Sequence, residues 1–570
     1  MGNPRTWRLS RRHLLVTGLA VGGATALPAS QDAVRARSLQ AYVDGSDHDP
    51  LGRTMGAYPT EIHHAFMHGV ASGDPLPGTV ILWTRVTPSP QAVPGSGLGA
   101  DTTLRWDVAS DEDFMNIVRS GEVVATSATD HTVHVDPHEL KPATTYYYRF
   151  EVIDGPMVGQ VSPAGRARTA PADNADLESV QMAVCSCANY ESGYFRAYGD
   201  IAERAQAGEI DLVVHLGDYI YEYASGDNPG KSGVTRAFEP TWELESIGDY
   251  RARYGHYRRD PELQAAHAAA TWVVTWDDHE FADNWNAHDA KQHTLFQGPW
   301  EKRRDGAMRA YFDWLPVRGE APADGGRLYR SLRFGTLAEL HMLDLRSYRS
   351  GPGLRPVAGE GQHTIMGQEQ FAWLSRKLST TDARWALIGN SVMFSPVKLV
   401  GLDPKVRPVI APLLGGDVVA ELGPHMNPDQ WDGYPADRER LLDQLADERP
   451  DASTIFLTGD IHSEWAGVIN HRGRVLGAEL VTTSVSATNM DDRMGLARGN
   501  PVSRLAEQHL LGRNPHFRHI NLDDHGYMLV KVTKDEVTAR FLRVDDVEAP
   551  GAAIHEGYAL RFADGRLEEL

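Results

Sequence analysis

Five short apolar runs in this chain end the same way, with side chains that can hold a cation. Cys187 follows Gln181–Cys185, Asp218 and Tyr221 follow Asp211–Leu216, and Asp277, Asp278 and His279 follow Thr271–Trp276. Asn390 follows Trp385–Ile388, and Asp460 and His462 follow Thr454–Leu457. Short β-rich runs bounded by turn residues read as buried strands. Helical spacing recurs between them, at Phe195, Tyr198 and Ala202, at Trp300, Ala307, Met308, Tyr311 and Leu315, at Phe371, Leu374 and Leu378, and at Leu441, Leu442 and Leu445. Strands alternating with helices predict a layered α/β domain, and such folds carry their chemistry in the loops at the C-terminal ends of strands. The fold must therefore gather these loops around one centre.

Upstream the rhythm differs. From His64 to about Arg168 the pattern is all strand, with Val80–Val86, the alternating Thr103–Val108 and an aromatic strand running to Phe150. Short strands separated by Gly, Pro and Asp predict a small β-sandwich. Its closing segment resembles the equivalent strand of fibronectin type III domains. Nothing in this module chelates or catalyses, so its expected role is structural. Tyr527–Val532 and Val537–Val544 read as a hairpin near the end of the chain. The expected organisation is a signal over 1–30, a linker or arm over 31–58, the β-sandwich over 59–170, the main domain over 171–548 and a tail over 549–570.

Ser10-Arg11-Arg12-His13-Leu14-Leu15 opens an apolar, Gly-rich stretch that runs to Leu27, with small residues at Ala26 and Ser30. It is too short to span a bilayer comfortably and looks like a twin-arginine signal, which exports folded proteins. The expected partner during export is the twin-arginine translocase. The expected destination is a periplasm, a cell wall or the medium, with no integral membrane segment in the mature chain. The formal charge of −21 argues against nucleic acid as a partner, because phosphate backbones select basic surfaces. The same charge means that an anionic substrate would need local positive charge in the cleft, most simply from metal ions.

The chain has two cysteines, Cys185 and Cys187. An exported protein held by disulfides would have more, and bridging residues two apart on one strand is strained. Cys187 is therefore a thiolate ligand or a buried thiol, with Cys185 as its buried neighbour. In Gly217-Asp218-Tyr219-Ile220-Tyr221, a carboxylate after a glycine and a tyrosine three residues on place two oxygens around one cation. Asp460 and His462 alternate along an extended segment, so both can face the same centre. Asp277 to Glu280 also fits a helix start, with Asp277 as N-cap. Tyr219, Tyr221 and Tyr223 also fit an aromatic strand on the core, Asn390 a turn, and His215 a hydrogen-bonded core histidine. The reaction class these residues favour is metal-assisted hydrolysis.

These stretches resemble the PhoD-type alkaline phosphatases and phosphodiesterases of the calcineurin-like metallophosphoesterase superfamily. The matching residues are Ser186-Cys187-Ala188-Asn189-Tyr190, His215 to Tyr223, Trp276-Asp277-Asp278-His279-Glu280 and Gly459-Asp460-Ile461-His462, with Gly69 to Pro75 in the β-module. The resemblance implies an N-terminal fibronectin- or Ig-like β-sandwich followed by a metallophosphoesterase domain, more distantly similar to purple acid phosphatases. It implies an exported enzyme that hydrolyses phosphomonoesters and phosphodiesters by metal-activated hydroxide. The implied cofactors are Fe3+ and Ca2+, with Zn2+ or Mn2+ as the alternative. The implied metal ligands are Cys187, Asp218, Tyr221, Asp278, Asn390, Asp460 and His462, with Asp218 bridging two metals and His279 as the catalytic residue facing substrate. Asp277 and Asn284 compete with Asp278 for the ligand role. Substrate choice belongs to the loops at 224–248, 348–366 and 398–435. The rival reading is a non-catalytic protein of the same fold that binds a phosphate polymer or the cell wall; it predicts missing ligands, and the set here looks complete.

Overall fold

The computed structural model of the chain describes residues 64–351, 363–398 and 427–570. The expectations for residues 1–30 and 31–58, and parts of the loops at 348–366 and 398–435, lie outside them. Two sheets face each other. The larger has ten strands, in the order Arg566–Glu569, Ile554–Ala563, Val537–Val544, His525–Thr533, Ser179–Cys185, Leu212–His215, Thr271–Val274, Val70–Leu76, Thr79–Arg85 and Thr132–Val135. The smaller has seven, in the order Arg330–Phe334, Ala338–Met342, Trp385–Asn390, Thr454–Thr458, Arg474–Val481, Glu464–His471 and Phe517–Asn521.

Ser179–Cys185, Leu212–His215 and Thr271–Val274 are parallel neighbours. So are Ala338–Met342, Trp385–Asn390, Thr454–Thr458 and Arg474–Val481. Parallel strands need cover on both faces, which is why these segments read as nearly unbroken apolar runs. Inside, Met182, Val184 and Val214 meet Leu340, Leu387, Ile455 and Leu457 in one core between the sheets. Outside, helices Arg196–Gln206, Ile247–Tyr257, Pro261–Ala269 and Trp300–Trp314 cover the larger sheet, and Gly367–Thr380 and Pro435–Glu448 cover the smaller. Local chemistry starts these helices where the sequence marks them. Ser246 and Asp249 form a reciprocal capping box, and Asp260 accepts from the Glu262 and Leu263 amides ahead of Pro261.

The β-sandwich expected over 59–170 is present, but one of its layers is not its own. Thr102–Ala109, Ile117–Ala125, Thr145–Asp154 and Gly165–Arg168 form a separate four-stranded sheet. It packs through Leu104, Tyr148 and Phe150 onto Val80, Leu82 and Val133. Those residues belong to the larger sheet, where Val70–Leu76 pairs in parallel with Thr271–Val274. A boundary at 170 therefore cuts a continuous sheet: alternation along Thr79–Arg85 identifies a strand but not its neighbour.

The tail expected over 549–570 is also corrected. Ile554–Ala563 pairs antiparallel with Val537–Val544, and Arg566–Glu569 closes the edge. Leu560, Phe562 and Leu567 are buried in the core between the sheets. The last run is rich in charge because only one of its faces is covered, which hid it as a strand. Where the parallel strands of the two sheets end, Ser186 and Ser484 bridge them. No helix among the described residues is long and apolar enough to cross a membrane.

Candidate metal centre

Four loops at this end of the sheets contain residues on strained backbone. Cys187, Asp218, Asn284, Asp460 and His462 have φ of 61°, 55°, 55°, 73° and 49°. Residues with a Cβ rarely enter this left-handed region, and they stay there only where their surroundings determine the backbone. Gly217, at φ 110°, brings two loops into contact: a Cβ there would lie 2.5 Å from Asp277 Cβ. Glu280 ties the same two loops. Its carboxylate accepts from the amides of Asp218 (3.0 Å), Tyr219 (2.6 Å) and Asp277 (2.9 Å). Asp277 to Glu280 therefore forms a turn rather than a helix start.

The ligand atoms gather in three overlapping sets, each with its atoms within 4.8 Å of one another: Cys187, Asp218 and His462; Asp218, Asp278 and His279; Asp277, Asp278 and Asp460. Asp218 and Asp278 each belong to two sets, so the donors form a row rather than a single cage. The Tyr221 hydroxyl lies in the first set's midst, donating to Asp218 Oδ2 at 3.2 Å and standing 3.2 Å from His462 Nε2. His462 Nδ1 is 2.9 Å from the Thr488 carbonyl, which aims Nε2 at the cluster. The Asp278 carboxylate accepts from the Asn284 amide at 2.7 Å, and Asp460 accepts from the Gln430 amide nitrogen at 2.7 Å.

Burial sets the electrostatics. Reinforced by the neighbouring acids, it pushes the Cys187 thiol, the Tyr221 hydroxyl and the Asp218 and Asp460 carboxyls well above their ordinary pKa values, and His279 beside Asp218 and Arg346 beside Asp460 only partly oppose it. Burial lowers His462 to about 3, which keeps its ring neutral. Four acids and a neutral imidazole in one dry place are costly unless a cation compensates them, and they are the protonation-sensitive groups that a cation would ionise. Asp277 Oδ2 is buried without a hydrogen-bond partner. The donor set thus fits metal ions. His279 behaves differently: burial alone would lower it, but Asp278, Glu222 and Asp218 together hold it well above the usual histidine range. Its Nδ1 lies 2.8 Å from Glu222 Oε2, and its ring stacks on Tyr221 at 4.3 Å.

Of the expected ligands, Cys187, Asp218, Tyr221, Asp278, Asp460 and His462 come together, and Asn390 does not join them. Its amide oxygen accepts from the Trp431 indole at 3.0 Å, and its nitrogen donates to Thr458 Oγ1 at 3.0 Å and to the Val392 carbonyl. Asn390 holds the strand end together, the turn role its sequence context also allowed. His215 is a core histidine, fully buried and 3.0 Å from the Tyr198 hydroxyl. Both cysteines are free and buried. The sequence left several residues unassigned. Glu222 holds His279, Glu280 joins the loops, and the fully buried Arg346 and Arg349 grip Asp277 and Asp429 at 2.6 Å each. Glu222 and Glu280 stand inside the matching stretches, so a signal for them existed; Arg346 and Arg349 carried none.

These groups open into a cleft of about 940 Å3. Its walls add Lys231, Lys291 and Arg493 to the carboxylates. A family profile described as PhoD-like phosphatase matches residues 182–541, and one described as PhoD-like phosphatase, N-terminal domain, matches residues 54–171. The chain belongs to the PhoD-like phosphatase family. It is 34% identical over 525 residues to alkaline phosphatase D of Bacillus subtilis (strain 168), covering 88% of this chain and 82% of that protein. A solved structure of PhoD superposes with a TM-score of 0.76 at 32% identity, covering 90% of this chain and 93% of that one. The purple acid phosphatase PPD1 from yellow lupin (Lupinus luteus) seeds superposes with a TM-score of 0.51 at 11% identity, covering 87% and 73%, and shares the fold. As a PhoD-like phosphatase the chain is a phosphoesterase, a hydrolase with an N-terminal β-module and a layered α/β domain.

Proposed function

We propose that this PhoD-like phosphatase is an exported, metal-dependent enzyme that hydrolyses phosphomonoesters and phosphodiesters. The observation that carries the metal dependence is the row of donors in which Asp218 and Asp278 are each shared between neighbouring sets. Cys187, Asp218, Tyr221 and His462 would hold an Fe3+ ion, since thiolate, phenolate and imidazole suit a transition metal. Asp278 and Asp460, with Asp277 beside them, would hold Ca2+, a hard cation that favours carboxylate oxygen. Zn2+ or Mn2+ in these places is the alternative. When bound, such cations supply Lewis acidity, acidifying a water and neutralising phosphoryl charge.

The chain's own residues do the rest. His279 is the catalytic group: Glu222 fixes its ring and favours the imidazolium, leaving Nε2 as a proton donor toward the phosphoryl oxygen or the leaving group. Arg346 and Arg349, buried behind the carboxylates, offset their mutual repulsion. Lys231, Lys291 and Arg493 line the mouth, where a chain of net charge −21 otherwise repels an anionic substrate. The Arg pair and apolar stretch at the N-terminus support export through the twin-arginine translocase.

The test is elemental analysis of protein purified without chelators, with a visible spectrum and phosphoesterase assay on the same sample. Roughly one iron per chain with calcium, and a broad charge-transfer band from thiolate and phenolate, is the expected result. Active but colourless protein holding zinc or manganese would discard the iron assignment. Active protein free of metal would discard metal dependence.

A further inference from the structure

A second cleft, of about 800 Å3, opens between the smaller sheet, its helix Pro435–Glu448 and the last hairpin of the larger sheet, and shares no lining residue with the catalytic cleft. The strand Glu464–His471 begins beside the metal centre, and the new cleft is built at its other half, from Val468 to His471, and at the turn that follows. Helix Pro435–Glu448, the segment Phe394–Lys398, the stretch Arg513–Arg518 and the last hairpin complete its walls.

The charge here reverses that of the molecule. Acidic residues outnumber basic ones by 77 to 56 in the chain. Yet the cleft is lined by Lys398, Arg438, Arg472, Arg513, Arg518 and Arg566, against Glu439 and Glu568. Both carboxylates are already occupied, Glu439 by Arg472 at 3.5 Å and Glu568 by Arg561 at 3.1 Å. Arg438 is held by Asp432, and Arg472 by Asp443 at 2.9 Å. Lys398, Arg518 and Arg566 are exposed and form no ion pair among the described residues. They come from three separate elements, so local helix geometry does not explain their convergence. His516 adds a ring nitrogen, Nε2, buried without a partner. Three cations that line one cleft without an ion-pair partner among the described residues repel one another, and an anion is the ligand that relieves them.

We infer that this cleft is a secondary binding site for a phosphate-bearing polyanion, held by Lys398, Arg518 and Arg566 away from the catalytic centre. A single phosphate would engage one or two of the cations. Charges contributed by several segments around one concavity suit a ligand that repeats its charge, because each phosphate contact releases counterions and the gains accumulate. Concavity also favours a flexible chain over a flat membrane surface. Such a site would hold one part of a long anionic ligand while another part reached the catalytic cleft.

The test uses the metal-loaded full chain and inorganic polyphosphate of defined length as the probe. Binding is titrated at about 50 and 200 mM salt for the wild type and for the triple variant K398Q/R518Q/R566Q. The expected result is that the wild type binds at low salt and weakens as salt rises, while the triple variant binds at least about tenfold more weakly with a shallower salt dependence. Turnover of a small chromogenic phosphomonoester stays within about twofold in the variant, because none of the three residues lines the catalytic cleft. The charge-keeping variant K398R/R518K/R566K retains binding. No binding by the wild type, or equal affinity in wild type and triple variant, overturns the inference. So does attachment to phosphatidylglycerol vesicles without affinity for polyphosphate, which would make the cleft a membrane contact.

Discussion

At the scale of the residue, the proposed centre divides into side chains that would hold cations and side chains that hold those side chains. Cys187 is of the first kind. It is buried at left-handed φ, 3.2 Å from Ser186 Oγ, and belongs to one donor set with Asp218 and His462. Cys187→Ala removes the one soft donor of that set, and alanine leaves only a small void. The expected outcome is loss of the metal in that position with the fold intact, read as elemental content beside an unchanged circular dichroism spectrum. Full metal content in the variant would show that the thiol is merely buried. Glu222 is of the second kind. Glu222→Gln keeps the shape and one hydrogen bond to His279 but removes the charge, and kcat should fall by about 10²-fold with metal content unchanged. Loss of metal as well would place Glu222 or His279 in the coordination shell. The proposed ligands that gather were legible because each stands in a short motif after an apolar run. What their supports touch was not, since Glu222, though inside a matching stretch, meets His279 across 57 residues and Arg346 meets Asp277 across 69. Asn390 shows the converse: position after a strand marked it, and Trp431 and Thr458 claimed its amide.

At the scale of the element, the question is what keeps two sheets in register so that their loops meet. Glu464 sits at the start of its strand in the smaller sheet, with no exposure to solvent. It accepts from Arg543 of the larger sheet at 2.8 and 2.6 Å, and lies 2.8 Å from His519 on the neighbouring strand. Burial would raise this carboxyl, but His519 and Arg543 overcome it and hold the pKa below the ordinary glutamate value. A carboxyl depressed in the folded state contributes stability that is fully present above its unfolded pKa and is lost as pH falls through the folded one. Glu464→Gln should therefore cost about 3 kcal/mol at neutral pH, because Arg543 and His519 lose a buried partner. The gap in Tm between wild type and variant should narrow below about pH 4.3 and close at lower pH. A gap that does not change between pH 7 and 3 would show that the triad acts by shape rather than charge. Elements themselves were largely legible. The apolar periodicity of Trp300–Trp314 and the runs at Leu212–His215 and Thr454–Thr458 fall where the pattern put them. Their pairing was not, because a strand's own pattern reports which faces are covered and says nothing of which strand covers them.

At the scale of the whole molecule, the N-terminal module and the C-terminal end are built into the sheet that carries loops of the proposed metal centre. The consequence is sharpest at the C-terminus, where the sequence pattern suggests a tail. Ile554–Ala563 lies against Val537–Val544 along its whole length. Leu560, Phe562 and Leu567 fill the core between the sheets, each less than a tenth exposed. Full burial of such side chains contributes about 1.5–3 kcal/mol each. Removing all three forfeits a sum comparable with the 5–15 kcal/mol that holds a typical domain together. Deletion also leaves Val537–Val544 as an unprotected edge strand with an apolar inner face, a template for intermolecular pairing. A chain ending at Glu548 keeps every proposed ligand and His279. It should nonetheless fail to accumulate in soluble form or lose cooperative thermal unfolding, and its phosphoesterase activity should fall with its folded fraction. Comparison of soluble yield, Tm and activity per folded chain between the full and shortened proteins checks this. A shortened chain with the parent's Tm would mean that the two closing strands ride on the sheet without supporting it. Higher activity per folded chain would mean that they restrain the site.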